Sequence, residues 1–410
     1  MINKNIFKNT VMLYIMTFAK LILPLFTFPY LTRVLSVSAY GQLTYVRSCV
    51  TYIQLIIDFG FLLSATKDIV LHKDDNSAIS KICSNVLSAR IYLSIICLFV
   101  YLGMCYTNNI LSQNIFFSIF SIIPILLTVF LFDFLFRGLE IMHIITVRYV
   151  LMKLFSTLLV FVFVKNDSQL IIIPILDIIS SFVAVVLTLK YIKNKLNIKL
   201  YIAKFKEAIL CLKQSFIFFL SDIATTGFGV LNTLLIGVYL TTEDVAVWGV
   251  AYTLISAVQN LYSPISNGIY PQMVQNKSYE LLKKITYILL PIVVLGCLFC
   301  AFFAKYIVII IGGIKYDQSI FIFQLLIPVL LFSFLAIIIG WPGLGAINKQ
   351  KSLTYTTIIT SLIHIIGLII LGLTRNFNLI NIAIMRSITE FFLFFFRFLL
   401  LKHYRNEFID

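Results

Sequence analysis

Lys20, Arg47, Asp58, Arg90, Asp177, Asp222, Arg386 and Glu390 all interrupt long apolar stretches of the chain. A charge near the centre of a bilayer costs several kcal/mol, so such a residue normally faces a cavity or a partner. Two kinds of chemistry follow. The cations can hold an anionic group, and the carboxylates can carry a proton. Lys20 is the most telling cation. It lies ten residues into the first apolar stretch, about 15 Å deep by helical rise, with no acidic neighbour at helical spacing. Asp177, Asp222 and Glu390 are the candidate proton carriers, because a buried carboxyl resists ionisation. Glu390 fits least, since Arg386 four residues earlier would hold it ionised. Asp222 fits best. Asp133–Arg137 and Arg386–Glu390 have the spacing of structural helix pairs, and Arg47, Arg90 and Arg137 could instead snorkel to an interface.

What positions these residues is membrane-spanning helix. Hydrophobic residues make up 60% of the 410, charged residues 12%, and mean hydropathy is +1.01. Apolar runs of about twenty residues recur, the length needed to cross a hydrocarbon core of roughly 30 Å. Within that core backbone groups must be satisfied internally, which makes each run a helix. We read twelve spans, near 10–32, 41–65, 84–105, 114–136, 146–164, 169–189, 214–238, 247–273, 285–304, 319–341, 352–373 and 378–401. The fold class is therefore all-α and polytopic, with about twelve helices in two six-helix bundles around a central cavity. The first run is too long for a signal-peptide core and reads as a retained span.

A lysine-rich stretch, 190–213, divides the chain into an N-terminal bundle, 1–189, and a C-terminal bundle, 214–410. Two bundles joined by a linker is the form of transporters built from structural repeats. Val34-Leu-Ser-Val-Ser-Ala-Tyr-Gly41 after the first span echoes Tyr239–Gly249 after the seventh. The linker is amphipathic over 200–212 and suited to a membrane surface with anionic lipid. The net charge of +15 is explained by basic cytoplasmic loops rather than by nucleic acid. With an inside N-terminus, 22 of the 32 Lys and Arg fall in inner loops and 5 in outer loops, which places both termini in the cytoplasm.

Pro24 and Pro29 in the first span, and Pro124, Pro174, Pro264, Pro271, Pro291, Pro328 and Pro342 elsewhere, mark bends that free carbonyls. Cys297 and Cys300 form a CxxC inside an apolar helix without a second pair, which reads as packing. There is no GxSxG, HExxH, nucleotide-binding glycine loop or exposed DxD motif. The chain reads as a transporter without a cofactor, not an enzyme.

Certain strings narrow this further. Pro24-Leu-Phe-Thr-Phe-Pro-Tyr-Leu-Thr-Arg-Val-Leu35 followed by Tyr40-Gly41 resembles the first-helix signature of the Wzx-type O-antigen flippases. These form the polysaccharide-transport branch of the multidrug/oligosaccharidyl-lipid/polysaccharide exporter superfamily. Phe59–Ile69, Asp133–Met142 with Arg148, and Ile311–Tyr316 are similar to later segments of that family. Two departures stand out: Ser36 where the family has Gly, and Arg137 where it has Gln. The resemblance implies translocation of an undecaprenyl-diphosphate-linked oligosaccharide from the inner to the outer leaflet, for O-antigen or capsule synthesis. Lys20, Arg47, Arg90 and Arg386 would neutralise the diphosphate. The implied partners are that lipid-linked glycan, membrane lipids, a polysaccharide polymerase and a chain-length regulator, in the cell membrane (the inner membrane of a Gram-negative cell). The alternatives are a lipid II flippase or another exporter of the superfamily, and, in a different class, a membrane-embedded O-antigen polymerase or ligase.

Overall fold

The computed structural model describes residues 4–223 and 227–409. Among these residues there are helices and no strands. Eleven helices are long and apolar enough to span a membrane. They match eleven of the expected spans, differing by at most eight residues at either end. The exception is the expected span 214–238. Its described residues fall mostly in α10, Phe205–Asp222, and α11, Phe228–Tyr239.

The chain forms two compact units, Met1–Leu234 and Leu235–Asp410. The first unit contains α1 (Lys4–Val34), α2 (Val37–Asp58), α3 (Phe61–Leu71) and α4 (Asn76–Thr107). These are followed by α5 (Asn109–Ser112), α6 (Ile115–Leu127), α7 (Asp133–Gly138), α8 (Met142–Phe163), α9 (Ile172–Tyr191) and α10. The sequence puts residues 190–213 outside this bundle, yet α10 packs on α3 and α4 and so extends the compact unit.

The segment before α10 explains that attachment. Residues 197–204 are not helical, and their backbone N–H groups at Lys199, Tyr201 and Ala203 donate to the hydroxyls of Ser80, Ser84 and Ser88 on α4, at 3.3, 3.1 and 2.7 Å. The match is geometric. Alternate residues of an extended chain repeat about every 6.6 Å, and every fourth residue of a helix repeats about every 6 Å. Each serine also donates to the carbonyl four residues earlier.

Local chemistry sets the breaks. Ser36 has φ −64°, needs no glycine, and caps α2 by accepting from Ala39 N–H. Thr241 does the same for α12 (Thr242–Asn260), in a capping box with Asp244. The two loops that resemble each other in sequence thus end on the same device. Between α2 and α3 the chain turns through Phe59 and Gly60, with φ 41° and 71°. A Cβ on Gly60 would lie 2.6 Å from the Phe219 backbone nitrogen, so only glycine lets α10 approach.

The second unit continues with α13 (Tyr262–Asn276), α14 (Tyr279–Phe302), α15 (Ala304–Gly312), α16 (Gln318–Ile338), α17 (Gln350–Leu373) and α18 (Leu379–His403). Helix α16 packs on α12, α14 and α18. Its apolar core joins Tyr262, Met273, Phe334, Ile338, Leu344 and Leu401. A wide helical turn at Ile339–Gly345 contains Pro342. Arg397 secures this region by donating to the Ala336 carbonyl at 2.7 Å and to the Thr357 hydroxyl at 3.1 Å.

Candidate functional site

A cavity of about 450 Å³ lies wholly within the first unit, lined from α1, α2, α3, α4, α6, α7, α8 and α9. Its charged residues are Lys20, Arg47, Asp58, Arg90, Asp133, Arg148, Lys153 and Asp177. Helix α1 reaches it by packing parallel to α8. Thr146 donates to the Met12 carbonyl at 3.0 Å, and Tyr30 donates to the Phe161 and Val164 carbonyls at 3.0 and 2.7 Å. Between these two ties the Lys20 ammonium lies 5.2 Å from the centre of the Tyr149 ring, a cation–π contact. Pro24 lacks the N–H that would bond the Lys20 carbonyl within α1. The helix nevertheless continues to Val34.

Three ion pairs use up every carboxylate in the cavity. Arg90 of α4 pairs with Asp58 at the C-terminal end of α2, and also donates to the Val129 carbonyl. Asp58 sits where the helix dipole disfavours a negative charge, and Arg90 compensates. Arg148 pairs with Asp133 and donates to Leu131 O at 3.1 Å and Thr188 Oγ1 at 2.8 Å. Lys153 stands 3.3 Å from Asp177, which also accepts from Ser156 at 2.8 Å.

Five cations against three carboxylates leave two positive charges. They belong to Lys20 and Arg47, which have no carboxylate within ion-pair distance among the described residues. The division is also one of exposure. Arg90 and Arg148 are 7% and 8% exposed, part of the wall. Lys20 and Arg47 are exposed. The arrangement can therefore hold a dianionic group without first breaking an ion pair.

The expected site residues divide between the units. Lys20, Arg47 and Arg90 come together in this cavity. Arg386 does not line it. It lies on α18 in the second unit, 5% exposed, with its guanidinium 2.7 Å from Glu390. The i,i+4 ion pair expected from the spacing is present. His364 and Thr389 are hydrogen-bonded at 2.8 Å on α17 and α18. Asp177, a candidate proton carrier, has the Lys153 ammonium beside it. Asp222 is half-buried at the end of α10, within electrostatic reach of Asp58. Asp133 pairs with Arg148 of the next helix rather than with Arg137, its i+4 neighbour. Two cavity residues escaped the sequence reading. Arg148 and Lys153 fall within the first half of the expected span 146–164 and are among the 22 basic residues that the charge asymmetry assigns to inner loops. Their i,i+5 spacing sets them about 140° apart around α8, so helical periodicity alone does not bring them to one cavity.

The described residues form an all-helical, multi-pass chain with a cationic cavity in its first unit. The chain matches the family described as "Polysaccharide biosynthesis protein" over residues 6–277, and it belongs to that family. A relative from Shigella dysenteriae named "Putative O-antigen transporter" is 26% identical over 279 residues, 68% of this chain and 70% of that protein. One of the same name from Escherichia coli (strain K12) is 24% identical over 393 residues, 93% of each. The fold is similar to that of the lipid II flippase MurJ in an inward closed conformation. The TM-score is 0.75 at 14% identity, covering 96% of this chain and 87% of that one. It is also similar to an inward-facing multidrug resistance transporter of the MATE family and MOP superfamily. That TM-score is 0.65 at 11% identity, covering 93% and 98%.

Proposed function

We propose that this protein is a flippase for an undecaprenyl-diphosphate-linked oligosaccharide in O-antigen or capsule synthesis. The observation that carries the reading is the pair of exposed cations, Lys20 and Arg47, in a cavity whose carboxylates are already paired. A diphosphate cannot cross hydrocarbon unaided. Two cations in the cavity meet its charge, and the Tyr149 ring fixes the Lys20 side of the site. Polar residues of the same cavity accommodate sugars, while the polyprenyl tail stays in lipid. Alternating access exposes the headgroup to each side in turn, and the delivered unit passes to a polymerase and its chain-length regulator. The names of the relatives support the glycan, and the fold shared with a lipid flippase supports the mode of movement.

Complementation tests this reading. In cells lacking the protein, Lys20→Ala and Arg47→Ala should each cut surface glycan at least about tenfold, the cost of one charge-assisted contact. The double variant should abolish it, with membrane insertion intact. Normal glycan in the double variant would remove the basis of the proposal. We assign gradient coupling, where present, to Asp222. In proteoliposomes, Asp222→Asn should lose the response of glycan-lipid flipping to an imposed pH gradient, and an unchanged response places coupling elsewhere.

A further inference from the structure

Helix α9 presents one polar stripe to the cavity, Asp177, Ser180 and Ser181. Three and four residues separate them, so they share a helix face. Ser180 is 6% exposed, and its hydroxyl has no hydrogen-bond partner. A buried hydroxyl left unsatisfied costs stability unless something completes it. Asp177 is half satisfied. Both of its recorded bonds, from Lys153 and Ser156, fall on Oδ1. Oδ2 accepts no hydrogen bond among the described residues.

The stripe is joined to the cation site by contact. Lys20 lies over Tyr149, and Lys153, one turn further along α8, holds Asp177. An anion on Lys20 and Arg47 would therefore bring its next group toward α9. A group that both donates and accepts hydrogen bonds fits there: Asp177 Oδ2 accepts, and the serine hydroxyls do either. Sugar hydroxyl and acetamido groups have that character. A further phosphate does not, because it would face the Asp177 carboxylate.

We propose that Asp177, Ser180 and Ser181 read the sugar attached to the diphosphate, with Ser180 a specificity-determining residue. The proposal rests on the flippase reading and goes beyond it by dividing the cavity into a phosphate end and a sugar end.

Binding to the purified protein in nanodiscs tests the division. The two probes are undecaprenyl diphosphate, and the polyprenyl-diphosphate-linked glycan extracted from cells lacking the protein. The wild type should bind the glycan-bearing lipid more tightly. Ser180→Ala should weaken that lipid about threefold to tenfold, the value of one neutral hydrogen bond, and leave undecaprenyl diphosphate unchanged. Lys20→Ala should weaken both. A wild type that binds neither lipid overturns the function itself. A wild type that binds both equally overturns only the sugar end. So does a Ser180→Ala, Ser181→Ala double variant that keeps full preference for the glycan, or one that loses both lipids alike.

Discussion

Arg90 and Lys20 are both cations in apolar helices, but the structure uses them differently. Arg90 is buried and ion-paired with Asp58, whereas Lys20 is exposed and rests on Tyr149. Removing one partner of a buried pair leaves an uncompensated charge, while removing both is often close to neutral. Asp58→Asn and Arg90→Met should therefore each lower the thermal midpoint of the purified protein, by several degrees for a loss of about 1–3 kcal/mol. The double variant should recover most of it. A double variant as unstable as the sum of the singles would show that the pair is not the source of the effect. Lys20→Ala should leave the midpoint unchanged. At this scale the sequence shows which charges are out of place, because depth in an apolar run can be counted. It does not show which charges pair. Asp133 chose Arg148 over Arg137, and Asp177 chose Lys153 from a different helix. Such choices depend on how helices pack, and no helical periodicity records them.

At the scale of the element, the serine ladder has the clearest consequence. Ser80, Ser84 and Ser88 hold the backbone of residues 199–203 to α4, and Ala203 is 3% exposed beneath it. The hydroxyls are the only side-chain acceptors in this set of contacts, so alanine at all three removes the clamp without altering the charges of the linker. Trypsin should then cut after Lys199 or Lys204 at least about tenfold faster than in the wild type, since three bonds of about 1 kcal/mol each oppose local opening. Equal cleavage rates would mean that α10 packing alone holds the segment. The sequence identified this stretch as basic and amphipathic, but not as an extended strap. Serines every fourth residue along α4 carry no sign of a partner, and theirs lie more than a hundred positions away. The same strap moved a helix start. Because the extended segment ends at Lys204, α10 begins at Phe205, inside what reads as linker.

For the whole molecule, apolar run length carried most of the information, and eleven spans follow from it directly. The loops after Val34 and Tyr239, which resemble each other in sequence, each lead into a capped helix, at Ser36 and Thr241. The extent of the first compact unit was not legible in the sequence, because α10 joins it by packing rather than by composition. The orientation in the membrane is a proposal from charge asymmetry. The structure weakens one part of its basis, since Arg148 and Lys153 line the cavity and are not loop charges. Twenty basic residues remain on the side assigned to the cytoplasm against five outside, so the asymmetry survives the correction. Orientation also gives the cavity its direction of work. On the flippase proposal, the glycan-lipid is loaded from the face on which the charge asymmetry puts the basic stretch. Single cysteines placed by Lys195→Cys and Lys315→Cys in a cysteine-free background distinguish the two faces. In intact cells a membrane-impermeant maleimide should label position 315 and not 195, and permeabilisation should expose 195. Labelling of 195 in intact cells would invert the topology, and the cytoplasmic-to-external direction proposed for transport would have to be given up.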